Sequence, residues 1–327
     1  KKGEPSYGLA EADDKSFTTD FLTDRAIGFI QKNKDRPFCY YLSIPDPHGP
    51  NTVRPPYDTM YAHFDFKEPM SSRSAGSDLP DYAQTRPYHF KPGQMAQYFG
   101  MVKCIDDNVG RILTTLRETG ILEHTYIVFT SDHGDLCGEH GRDNKGVPME
   151  GSARVPFILH APGVIAAKTV FTHPFGTVDF KPTILSLMGV KDPSANEGRN
   201  YSALLRSPDT TPTQGEDITF VRIGGAPPQS SDVDDDEDRG GNGWFGAFSR
   251  QFKFVVAPSD TPCLFDLVND PHELTNLLRS PRHRATIRKL GQALSTYAKV
   301  NHDPLLDSSR VQADLTWAIS NQVAYPQ

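Results

Sequence analysis

Apolar residues at Phe17, Phe21, Leu22, Phe29 and Ile30 keep helical spacing, with Ser16 placed to cap the segment and the polar run 31–36 placed to end it. Residues 38–44 (FCYYLSI) then form a continuous apolar run of strand length, the pattern of a strand buried on both faces. From 45 to 93 no periodicity survives. This stretch is dense in Pro and Tyr, and a loop of that length is functional or disordered. Order returns with Met95, Phe99, Val102, Ile105, Val109, Ile112, Leu113 and Leu116, an i, i+3, i+4 series that predicts a helix ended by Gly120. Residues 126–130 (YIVFT) and 155–160 read as two further buried strands. The alternation predicts an α/β domain whose central sheet is largely parallel and flanked by helices.

Beyond Arg206 the texture changes. Residues 207–215 are a Pro/Thr-rich linker, followed by short strand candidates at 218–223, 252–256 and 263–267 and a closing helix over about 281–299. This predicts a smaller C-terminal α+β subdomain with an antiparallel sheet, and a division of the chain into 1–206 and 207–327. Within 230–243 lies the acidic run 232–238. No internal repeat is evident.

Composition narrows the function classes. With 327 residues the chain has room for a sizeable core, which excludes a peptide-scale or disulfide-scaffold protein. A net charge of −7 gives no global positive field to hold a phosphate backbone, so nucleic acid is not an expected partner. No apolar run approaches the ~20 residues of a membrane helix. The four cysteines include no CxxC pair, which removes zinc-ribbon and thioredoxin readings and leaves disulfides open. Glycine (26) and proline (27) together exceed their ordinary share of about 12%, a loop-rich composition. The N-terminus, beginning Lys1-Lys2-Gly3, carries no apolar run of a signal peptide.

Three loops carry candidate chemistry. Asp132 and His133 directly follow the apolar run 126–130, and in open α/β sheets ligands gather outside the carboxyl ends of strands. A carboxylate beside an imidazole there binds a divalent metal, or else is an Asp/His turn. His48 follows the run 38–44 in the same way. It is either a site residue or a loop histidine held by flanking prolines. Lys145 follows the turn Gly138-Glu139-His140-Gly141 and precedes Gly146. A lysine among glycines approaches an anion closely; an exposed loop lysine is the alternative.

Together these segments resemble the sulfatase family of the alkaline phosphatase superfamily. The resemblance runs through YLSIPDPHGP (41–50), CIDDNVGRIL (104–113), TSDHGDLCGEHGRDNKGVPMEGSARVPFILHAPG (130–163), TVDFKPTIL (177–185) and LFDLVNDPHELTNL (264–277). It implies an alkaline phosphatase-like fold and hydrolysis of a sulfate ester of a carbohydrate or aryl alcohol. It further implies that Asp132 and His133 are half of a divalent metal site. Calcium is the first expectation, while the nitrogen donor of His133 leaves manganese or zinc open. By the same resemblance Lys145 contacts the sulfate group, and His48 contacts the sulfate and the leaving-group oxygen. Glu150 and Arg154 are expected as a structural ion pair near the site, and Asp179 as a helix-capping residue. His140, Asn144 and Arg54 are expected beside the site or on the substrate.

One departure stands out. The family makes its nucleophile, a formylglycine hydrate, from a Cys/Ser-x-Pro-x-Arg motif that this sequence does not contain. The expectation is a chain that lacks an upstream nucleophile segment and is inactive alone. Export to a periplasmic, extracellular or lysosomal compartment follows only from the family. Residues 51–92, with Arg54, Tyr57, Arg73, Arg86 and His89, are the candidate for substrate selection. The Asp-His pair also admits a phosphonate monoester or phosphodiester hydrolase, and a non-catalytic anion-binding module is the further alternative. Three strings are set aside: a GxGxxG match at 241–246 that follows no strand, an EF-hand-like start at Asp234, Asp236 and Asp238, and a glycosylation sequon at Asn200.

Overall fold

The computed structural model describes residues 12–73, 76, 78–194, 196–207, 217–224 and 243–326. The acidic run 232–238, the first residues of the GxGxxG string and most of the 207–215 linker lie outside the described residues. By contacts the chain divides into two compact units, Lys1–Glu68 with His89–Ile127, and Pro69–Tyr88 with Val128–Gln327. This division differs from the expected one at residue 206: residues 128–206 cluster with the C-terminal sheet. No helix among the described residues is long and apolar enough to cross a membrane. All four cysteines are free thiols, and burial pushes those of Cys104 and Cys263 up to about 12.

The first unit is built on three helices, α1 (Thr18–Asn33), α2 (Tyr57–Met60) and α3 (Pro92–Glu118). Ser16 does not cap α1: its N–H and hydroxyl both go to Asp13, and Phe17 stands at the N-cap without a side-chain bond. Helix α3 ends as its sequence predicts. Gly120 takes a φ of +74°, and Gly120 and Ile121 return hydrogen bonds to Arg117 and Leu116, closing the last carbonyls. Phe17, Val53, Tyr57, Met101 and Cys104 form the apolar core here. At Gly100 a Cβ would come within 2.5 Å of the Tyr57 carbonyl, so only glycine permits the approach of α2 to α3.

Residues 38–44 depart from expectation. They form no strand among the described residues, and Tyr41 is 89% exposed. A strand is completed by a neighbour's N–H and C=O groups, which an apolar run does not itself supply.

In the second unit, β1 (Ile127–Thr130) and β2 (Phe157–His160) form a two-stranded sheet, with α4 (Glu150–Ala153) between them in sequence. Helices α5 (Thr177–Leu187) and α6 (Ser202–Arg206) follow. Asp179 does the capping expected of it: Oδ2 accepts from the Gly176 N–H at 2.8 Å and Oδ1 from the Arg199 N–H at 2.7 Å. Strands β3 (Ile218–Ile223), β4 (Trp244–Ser249), β5 (Phe252–Val256) and β6 (Cys263–Asp266) then form the expected antiparallel sheet in simple order. Strand β4 is not legible in the sequence, because Gly246 interrupts its apolar pattern and a glycine-rich stretch precedes it. Helices α7 (Arg284–Val300) and α8 (Ser309–Ile319) close the unit.

Period-two alternation divides this sheet between two cores. Phe245, Ala247, Phe254, Val256 and Leu264 face α7 and α8. Trp244, Phe248, Val255, Cys263 and Phe265 face Leu136, Val147 and Met149. The second core is what holds the loop that carries the candidate chemistry.

Candidate functional site

The loop 131–149 folds back on itself. Leu136 N–H donates to the Asn144 carbonyl at 2.8 Å, Gly138 N–H to that of Arg142 at 2.8 Å, and Gly134 N–H to that of Ser152 at 2.8 Å. Asp135 Oδ1 accepts from the N–H groups of Cys137 and Asn144, both at 3.1 Å. These bonds bring the Asp132–His133 end of the loop back toward its Asn144–Lys145 end. The fold-back requires Gly134, where a Cβ would meet the Gly151 carbonyl oxygen at 2.0 Å.

At the first end, His133 Nδ1 lies 2.8 Å from the Gly134 carbonyl. A carbonyl only accepts, so Nδ1 carries a proton and donates it, while Nε2 lies 3.5 Å from Asp132 Oδ2. Burial opposes ionisation of Asp132. The His133 backbone N–H, the imidazole and the Ser131 hydroxyl outweigh it and hold the carboxyl below its ordinary range. One carboxylate oxygen and one imidazole nitrogen are thus side by side. No group of three or more His, Cys, Asp or Glu gathers into a metal cluster among the described residues.

At the second end, Asn144 and Gly146 flank Lys145 with φ of +64° and +104°. Gly146 N–H donates to Ser152 Oγ at 3.0 Å, and Gly146 O accepts from Trp244 Nε1 at 2.8 Å. Val147 and Met149 are fully buried against the sheet, each burial stabilising by about 1.5–3 kcal/mol.

The middle of the loop is held by residues 71–88. His140 N–H donates to Ser71 Oγ at 3.2 Å, Arg86 N–H to the His140 carbonyl at 3.0 Å, and Tyr88 OH to Asp143 Oδ1 at 2.6 Å. Arg142, 1% exposed, donates to the carbonyls of Asp81 and Gln84. His140 is 2% exposed and its Nδ1 has no hydrogen-bond partner. Burial, with Arg142 and Lys253 nearby, pushes its pKa down to about 4, so the ring is neutral.

Two expected roles change. Glu150 and Arg154 do not pair: Glu150 Oε1 lies 3.1 Å from Lys253 Nζ, while Arg154 is exposed. Lys253 is fully buried on β5 and requires carboxylates, which Glu150 and Glu273 supply. Arg54, in the first unit, is clamped by the buried Asp20 through Nε and Nη2, and its Nη1 donates to the Pro55 carbonyl. Tyr57 is buried with its hydroxyl on Asp107 at 2.8 Å. Both serve the fold of that unit. His48, also in the first unit, is exposed and donates Nδ1–H to the Gly49 carbonyl at 2.8 Å.

Sequence reasoning did not single out Trp244, Lys253, Glu273, Asp135 or Ser152. One signal was present: a lysine inside the otherwise apolar strand FKFVV.

These elements define an α/β protein of alkaline phosphatase-like fold with a small antiparallel C-terminal sheet. A family model described as Sulfatase matches residues 5–190, more than half the chain, and the chain belongs to the sulfatase family. It is 28% identical over 299 residues to an arylsulfatase of Clostridium perfringens, covering 84% of this chain and 56% of that protein. Among solved structures, it is similar to a protein in complex with its substrate D-glucosamine-2-N,6-O-disulfate. The TM-score is 0.74 at 23% identity, over 90% of this chain and 72% of that one. It is also similar to a phosphonate monoester hydrolase from Silicibacter pomeroyi, with a TM-score of 0.72 at 22% identity, over 92% of this chain and 65% of that one. The chain spans a little over half the length of the curated relatives it matches.

Proposed function

We propose that this chain supplies the metal-binding and anion-binding residues of a sulfuric ester hydrolase acting on a sulfated carbohydrate or aryl sulfate. The observation that carries the reading is the folded loop 131–149, with a carboxylate–imidazole pair at one end and Lys145 at the other. Asp132 and His133 Nε2 would hold one divalent cation: calcium, or manganese or zinc given the nitrogen donor. Bound there, a cation orients and polarises a nucleophile, which the family resemblance gives as formylglycine. Lys145 opposes the negative charge that builds on the sulfuryl oxygens. By the family resemblance alone, His48 would contact the sulfate and the leaving-group oxygen. The solved neighbour with a disulfated glucosamine supports a sulfated sugar as the substrate class.

A second reading is favoured by the Asp-His pair and by the neighbouring phosphonate monoester hydrolase. The test is turnover of 4-nitrophenyl sulfate against 4-nitrophenyl phenylphosphonate by the protein expressed from its whole gene, with calcium, manganese and zinc each supplied. Preference for the sulfate, lost in Lys145→Ala, is the expected result. Preference for the phosphonate moves the protein to the second reading. Binding of a sulfated sugar with no metal-dependent turnover makes it an anion-binding module.

A further inference from the structure

The C-terminal sheet reaches the backbone that follows Lys145. Trp244 on β4 is 3% exposed and spends its indole N–H on the Gly146 carbonyl at 2.8 Å. Lys253 on the neighbouring β5 is fully buried and donates to the Pro148 carbonyl at 2.6 Å. Its ammonium also meets Glu150 at 3.1 Å and Glu273. Glu273 in turn accepts the Glu150 N–H at 2.7 Å. Burial disfavours the Lys253 charge, but the two carboxylates outweigh it and hold the ammonium above its ordinary value.

A charge in this position is not needed for stability, since apolar residues of similar volume fill such sites as well or better. What it does here, together with Trp244, is fix three alternate backbone points after Lys145: the Gly146 and Pro148 carbonyls and, through Glu273, the Glu150 N–H. On the other side Asn144 has its N–H on Asp135 and its carbonyl on Leu136. Lys145 therefore sits between two clamped residues, both in the left-handed region.

We propose that Trp244 and Lys253 are positioning residues for Lys145, setting through the Gly146 and Pro148 carbonyls where the loop presents its ammonium to an anion. This rests on the reading of Lys145 as the anion-binding lysine. The C-terminal sheet is then part of the site's machinery and not only a cover for its core. An ammonium displaced by a fraction of an ångström loses part of its charge-assisted contact with the anion without losing the fold.

The test is the affinity of the purified protein for inorganic sulfate, measured calorimetrically in native protein, Trp244→Phe, Lys145→Ala and the double variant. Trp244→Phe keeps the ring and removes only the N–H. It is expected to keep the far-UV spectrum and weaken sulfate binding about threefold to tenfold. That loss should vanish in the Lys145→Ala background, a coupling that a merely structural role would not produce. Lys253→Met should weaken binding further where it folds. If Lys145→Ala binds sulfate like the native protein, the reading of Lys145 fails and this inference falls with it. If Lys145→Ala weakens binding but Trp244→Phe does not, or if Trp244→Phe acts equally in both backgrounds, the positioning role alone is overturned.

Discussion

Arg54 is clamped by Asp20 through two parallel bonds, Nε to Oδ2 at 2.7 Å and Nη2 to Oδ1 at 2.8 Å. Asp20 is 1% exposed and also accepts from Asn108 at 3.1 Å. A bidentate guanidinium that satisfies a buried carboxylate is a support of the first unit, and its planar fork is not open to a substrate.

Arg54→Met leaves the buried Asp20 carboxylate without its bidentate cation and with only Arg111 at 3.9 Å, so it should cost about 3–5 kcal/mol in urea unfolding. Burial opposes the Asp20 charge, yet Arg54 and Asn108 hold its pKa below the ordinary value. The stability it contributes is therefore present above about pH 4 and lost as the pH falls through the lower folded-state value. A variant with native unfolding but weaker sulfate binding would return Arg54 to the substrate.

His140 gives the molecule a second acid sensitivity of the same sign, at higher pH. Its folded pKa of about 4 lies below the ordinary 6.5, so between those values the unfolded chain binds more protons. Stability contributed by the neutral ring is complete above pH 6.5 and falls on acidification toward pH 4, by on the order of 3 kcal/mol. His140→Asn, which tolerates the local φ of +53°, should lose less stability than the native protein between pH 7 and 4. Parallel pH profiles would remove His140 as the source.

The donor pair at Asp132 and His133 predicts a metal preference. If His133 holds a metal as proposed, replacing it by Asn would exchange a nitrogen donor for an oxygen one. Affinity for zinc and manganese should then drop by roughly tenfold or more relative to calcium in calorimetric titrations. Unchanged zinc affinity would remove His133 from the ligand set.

Gly141 has a φ of +65°, and a Cβ there would lie 1.9 Å from the Arg86 carbonyl oxygen. Gly141→Ala should cost roughly 2–4 kcal/mol by thermal unfolding, through both the left-handed backbone and the clash. Gly163, with φ +72° and open space around its Cβ position, provides the comparison. There alanine meets only the backbone penalty, about 1 kcal/mol. Equal losses at the two positions would show that residues 71–88 do not press on the loop.

The legibility of the fold follows the range of the interactions involved. Helix α3 was readable because its apolar series and the terminating Gly120 are local features. Strands β3, β5 and β6 were readable from short apolar runs. Strand β4 was not, since the glycines before and within it hide its period. Residues 38–44 have a buried strand's composition without a pairing partner among the described residues. In the site, Asp132, His133 and Lys145 were visible as residue types near strand ends and in a glycine-rich turn. The partners that hold the loop come from about a hundred residues away, and no window of sequence contains both members of such a pair.

The sequence by itself determined the family, through motifs whose residues are close together in the chain, and with it the chemical types available at each loop. Only the tertiary structure decided how those groups are employed. It set His133 Nδ1 on the Gly134 carbonyl, turned Glu150 toward Lys253 instead of Arg154, and clamped Arg54 on Asp20. The physical reason is that a charged or polar side chain takes whichever partner removes it most completely from unmet hydrogen bonding. That choice depends on burial and neighbours which exist only once the chain has folded.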